Sequence, residues 1–232
     1  MVFQLLRETL YFFWHHLTPL LIRLMPVLPL LLLANYRLLV VHGGDPAKAI
    51  QDLLLLGAEF LASLAAMALT LRYALAVVQK TDTGLGTLWR AALPSLLSLA
   101  AVQILAGLLI VAGLFLLVLP GIWLAGVLLP AYVIVVREEQ TAPAALRAAW
   151  TRFRAQAWSL SANLCALLLG LVVVLSGLDA LGKLLGDASP GARLAALAGL
   201  ELVGLLFSQM VAILLVRVYE LEQQEPRKAG WN

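Results

Sequence analysis

The chain has 232 residues, 62% of them hydrophobic and only 12% charged, with a formal net charge of +3 and a mean hydropathy of +0.96. A soluble domain carries roughly 45–50% apolar and about 25% charged residues, so this composition excludes a water-soluble enzyme or binding module. Its basic residues flank apolar runs instead of gathering on a polar segment, which argues against nucleic acid as a partner.

The apolar runs reach the ~20 residues a helix needs to cross a ~30 Å hydrocarbon layer. They are continuous, whereas barrel strands alternate. The expected fold is therefore all-α: one polytopic transmembrane domain, 1–232, of about six helices with amphipathic helices on the cytoplasmic side. Residues 2–14 read as the first amphipathic helix, with Gln4, Glu8 and His15 on one side and Leu6, Leu10 and Phe13 opposite. The first span is expected over 18–41, kinked at Pro26 and Pro29. No small-x-small cleavage site closely follows this run before Tyr36 and Arg37, so a cleavable leader is not expected. Gly-Gly and Asp-Pro signals make 42–52 a loop.

The second span is expected over 53–78 and the third over 93–117. Leu119-Pro120-Gly121 then reads as a helix-break turn, with Pro120 at its first corner and Gly121 supplying the positive φ of the second. The fourth span, 122–136, is short, about 22 Å at the helical rise, which suggests a shallow hairpin. Residues 142–156 form a second amphipathic segment, and the last spans are expected over 157–178 and 192–218. One side of this arrangement carries Arg7, Lys80, Arg90, Arg137, Arg147, Arg152, Arg154, Arg217, Arg227 and Lys228. The other carries Lys48, Lys183 and Arg193, with Arg37 near its rim, so both termini are placed in the cytoplasm. Trp14, Trp89 and Trp150 each precede an odd-numbered span. This is either a threefold internal repeat or the aromatic belt expected wherever helices leave the cytoplasm.

No enzyme signature is present, and neither a metal nor a cofactor is expected. His15 and His16 diverge on a helix, His42 lies on the opposite side, and Cys165 stands alone. The segment 142–156 has Thr141 as N-cap and Pro143 in its first turn. Its apolar stripe of Leu146, Ala149, Trp150, Phe153 and Ala157 is rimmed by Arg147, Arg152 and Arg154. Such a stripe either lies in the interface against anionic headgroups or tucks under the bundle as a connector. Arg23 and Arg72, toward the cytoplasmic side, can snorkel or hold lipid phosphate. Arg37 is expected to pair with Glu59 or Glu201, the acids nearest the outer rim, in a cluster that is either structural or functional. Ladders such as Ala58, Ala62, Ala66 and Thr70 let helices approach, within the monomer or in a homodimer.

The stretch from Leu114 to Trp158 carries a specific pattern. It runs through Leu119-Pro120-Gly121, Pro130 and the acidic pair Glu138-Glu139 into an Ala/Arg helix. With the lead-in YFFWHHLTPLL and a last helix ending at Arg217-Val218-Tyr219, it resembles the YciC-type family of bacterial inner-membrane proteins. More loosely, it is similar to the membrane domain of some glycerophosphodiester phosphodiesterases. The resemblance implies a multi-pass inner-membrane protein and transfers no catalytic residues. Two readings follow. One is a non-enzymatic protein that handles or organises anionic lipid or anchors an envelope partner; the other is a small-solute or ion-coupled permease using Glu59, Glu201 and Arg72.

Overall fold

The computed structural model describes residues 2–36, 53–81, 84–184 and 190–229, and these residues are helical with short links. In chain order the helices are α1 (Val2–His15), α2 (Leu17–Leu24), α3 (Leu28–Tyr36) and α4 (Leu53–Gln79). Then come α5 (Leu85–Ala92), a 3₁₀ turn (Leu93–Ser95), α6 (Leu96–Leu116), α7 (Val118–Leu128) and α8 (Ala131–Glu138). The chain ends on α9 (Ala142–Phe153), α10 (Ala157–Leu184) and α11 (Pro190–Ala229). Among the described residues, five helical stretches are long and apolar enough to cross a membrane: Leu55–Gln79, Leu85–Leu116, Val118–Glu138, Ala157–Gly177 and Ala198–Gln223. The protein is an α-helical membrane protein.

The expected span 18–41 is described only to Tyr36. Instead of a kinked helix it is two short ones, because Pro26 falls in the turn between α2 and α3 and removes a backbone donor there.

The hairpin of α6 and α7 corrects the expected turn. The chain breaks at Leu117, whose φ of −163° and ψ of 140° are extended. Pro120 and Gly121 lie inside the first turn of α7, where a proline costs no hydrogen bond. Gly121 is there for close approach, not for positive φ: a Cβ on it would sit 2.6 Å from the Leu114 nitrogen, and one on Gly113 3.0 Å from the Gly121 Cα. With Val118–Gly121 helical, the returning arm runs 21 residues from Val118 to Glu138, about 31 Å at the helical rise. The arm, broken at Leu129 and Pro130 into α7 and α8, is long enough to cross a membrane.

The centre of the bundle is α8. All six residues from Ala131 to Val136 are buried, enclosed by α4, α6, α9 and α11. A helix apolar on every side belongs in such a place. By contrast α6 and α10 leave Leu97, Leu105, Leu108, Leu169, Val172 and Val173 on the outer surface. That apolar area is too continuous for water contact and faces lipid.

Candidate functional site

Most described polar side chains gather at one end of the bundle, where α4 ends, α5 and α9 lie, and α8 meets α11. The basic residues of the sequence dictate this, since long cations inside a span stretch toward the nearest polar boundary. We call it the basic end.

Its centre is Glu138, at the last turn of α8. Arg152 of α9 donates to both of its oxygens, at 2.5 and 3.3 Å. The Tyr219 hydroxyl of α11 donates to one of them at 2.6 Å, and Gln140 to the other at 2.8 Å. The hydrogen bond to Glu138 pushes the Arg152 pKa above its ordinary value, so the guanidinium stays charged. Next to it Arg137 pairs with Glu220 and lies over the Tyr219 ring, 5.3 Å from its centroid. Glu139 follows with φ 53°, the left-handed cap that stops α8. It directs a largely exposed carboxylate to 3.6 Å from Arg72.

A second cluster joins α1 and α2 to α4. His16 Nδ1 and the Tyr73 hydroxyl share a hydrogen bond of 2.7 Å. Arg23 covers the Tyr73 ring at 4.2 Å and donates to the Pro19 carbonyl, while Arg217 lies over Phe12. Burial lowers the His16 pKa, and the nearby His15, Arg217 and Arg23 charges add to it. The charged imidazolium is thus disfavoured.

The amphipathic segment is divided in two. Ala145, Ala149 and Phe153 are fully buried against α6, α7 and α8, and Arg152 is committed to Glu138. The inner part of the apolar stripe is therefore used inside the protein. Arg147 and Arg154 remain exposed, as does Trp150, whose ring packs edge-on against Trp123 at 5.3 Å. Trp158, Trp14 and Tyr11 are exposed as well.

At the far end, Glu59 on α4 and Glu201 on α11 lie close enough for their charges to interact. Arg37, their expected partner, lies outside the described residues. Between these acids and the buried Thr70–Gln209 hydrogen bond sits a buried apolar layer of Leu24, Val27, Ala62, Ala66 and Leu205. Arg72 is 13 residues beyond Glu59 on α4, about 20 Å along the helix. The structure therefore does not bring Glu59, Glu201 and Arg72 together. Among the described residues no group of three or more His, Cys, Asp or Glu could hold a metal ion.

Sequence reasoning noted Glu138-Glu139 and Tyr219 only as parts of a motif and missed Glu220 and the His16–Tyr73 pair. No sequence spacing links residues so far apart, although an acidic pair amid basic flanks was a usable signal for Glu138. No family model, curated protein or solved structure matches this chain.

Proposed function

We propose that this is a non-enzymatic, six-span protein of a bacterial inner membrane, with both termini cytoplasmic, that organises or handles anionic lipid from its basic end. An envelope protein anchored there is compatible with the same surface. The observation that carries the reading is the division of α9. One face is locked into the bundle by Phe153 and Arg152, so Arg147, Trp150 and Arg154 are presented rigidly outward. Exposed Trp158, Trp14 and Tyr11 extend that rim along α10 and α1. Exposed aromatic rings and guanidinium groups of this kind suit the headgroup layer. The asymmetry of Lys and Arg supports the orientation, and the YciC-type resemblance supports the inner membrane. The permease reading has less support, because a buried apolar layer lies between the two acids and the polar residues of the basic end.

The test is native mass spectrometry of the full chain released from mixed nanodiscs of phosphatidylglycerol and phosphatidylethanolamine. The double variant R147Q/R154Q should lose retained phosphatidylglycerol about thirtyfold at low salt, at about 1 kcal/mol per basic residue. It should keep its phosphatidylethanolamine. Equal retention of both lipids by wild type and variant would refute the reading.

A further inference from the structure

Arg72 projects from α4 into the basic end, and it stands on the wall shared by two adjoining cavities. One, of about 310 Å³, lies between α4, α5 and α8 and is lined by Arg72, Gln79, Thr81, Thr87 and Arg137. The other, of about 220 Å³, lies toward α6 and the α8–α9 link, with Ser95, Ser98, Glu139 and Gln140 around Arg72. Arg72 lies seven residues before Gln79, about 10 Å along the helix from its end.

The guanidinium is not fully used. Its Nε is buried and has no hydrogen-bond partner among the described residues. Its Nη2 is 3.6 Å from Glu139, beyond hydrogen-bond length. That carboxylate is 75% exposed, where an ion pair contributes little. A buried donor left open calls for an unseen water or ion. Nε and Nη2 together form the planar edge that grips an oxyanion with two parallel bonds. The larger cavity adds a second guanidinium, Arg137, with hydroxyl and amide groups and no carboxylate in its lining. Asp82 lies outside the described residues.

We propose that this paired cavity is a phosphate site in which the Nε–Nη2 edge of Arg72 grips a phosphate oxyanion and Glu139 is the counter-charge it displaces. The phosphate belongs to a lipid headgroup or to a free phosphate ester. In the lipid case the site deepens the function proposed above and rests on it.

The experiment titrates the full chain in neutral detergent with inorganic phosphate and, separately, with dihexanoyl phosphatidylglycerol, following binding by calorimetry and thermal shift. Wild type should bind at least one of them. R72Q should weaken that binding about tenfold to a hundredfold, the scale of hydrogen bonds to a charged group. E139Q should tighten it severalfold, because it frees the gripping edge. An Arg72 that serves only as the ion-pair partner of Glu139 predicts the reverse or no change for E139Q, so this variant decides the matter even if R72Q does not fold. Binding of phosphatidylglycerol alone identifies a lipid headgroup; binding of inorganic phosphate as well identifies a site open to free phosphate. No binding to wild type and E139Q, or equal binding to wild type and R72Q, overturns the proposal. R147Q/R154Q should leave the phosphate titration unchanged. A null titration beside lost lipid retention in that variant therefore defeats the Arg72 site alone. An intact Arg72 response beside unchanged retention defeats the rim reading alone.

Discussion

Gly126 on α7 is the position where helix packing can be tested most sharply. A Cβ there would fall 3.1 Å from the carbonyl carbon of Ala157, and closer still to its oxygen and to Ser161 Oγ. Because the obstacle includes backbone, α7 and α10 must separate. Overpacking of this kind costs about 1–3 kcal/mol. Separation also breaks the 2.8 Å bond from Ser161 Oγ to the Ile122 carbonyl, worth about 0.6 kcal/mol in a membrane. The better helix propensity of alanine returns up to about 1 kcal/mol, so G126A should destabilise by about 1–3 kcal/mol. On the scale of a chain this size, that lowers Tm by about 2–10 °C. Gly107, on α6, is the control: a Cβ there meets nothing within 4 Å, and G107A should leave Tm unchanged or slightly raised. Thermal unfolding of the purified variants in one detergent makes the comparison. Equal melting of G126A and G107A would refute the close-approach argument, because both changes have the same intrinsic helix propensity.

Two further outcomes test the polar network and the orientation. Glu138→Gln should cost about 1–3 kcal/mol, the scale of charged hydrogen bonds in a partly exposed site. Tyr219→Phe should cost less, and the double change should cost clearly less than the sum, since both changes act on the one bond from the Tyr219 hydroxyl to Glu138; a strictly additive thermal-unfolding cycle would contradict a shared network. In a background lacking Cys165, cysteines placed at Ala47 and Ser189 should react with an impermeant thiol reagent in intact spheroplasts. One at Gln223 should react only after lysis, and its labelling beforehand would reverse the proposed orientation.

Much of the fold was legible because spans are written as long apolar runs. Residues 53–78 foretell α4 to within a residue, and 157–178 foretell the start of α10, which runs on to Leu184, since nothing in Leu- and Ala-rich stretches competes with the helix. Pro120 and Gly121 misled for a physical reason. Side by side they suit a turn, but proline is equally at home in the first turn of a helix, and glycine equally serves where two helices touch. Only the contact with Gly113 and Leu114 tells these uses apart. The stripe on α9 was visible, but not what it faced: Phe153 meets protein and Trp150 partly meets the surface, though both carry the same periodic signal. The network on Glu138 was hidden for a different reason. Its members stand 14 and 81 residues away, and only the placement of α8 between α9 and α11 brings them within bonding distance.

The α6–α7 hairpin has one more implication. From Ile104 to Ala131 the sequence contains no charged, hydroxyl or amide side chain, and its tip at Phe115 and Leu116 is 88% and 80% exposed. The side-chain anchors of this hairpin and of α8, which continues it, lie beyond that stretch, where Tyr132 bonds Gln103 and Arg137 bonds Glu220. A segment moored at one surface only does not have to match the distance to the other. As a bilayer thins or thickens, its tip can rise or sink in the opposite leaflet without dragging a charge through hydrocarbon, and so without the penalty that fixes a helix anchored at both ends.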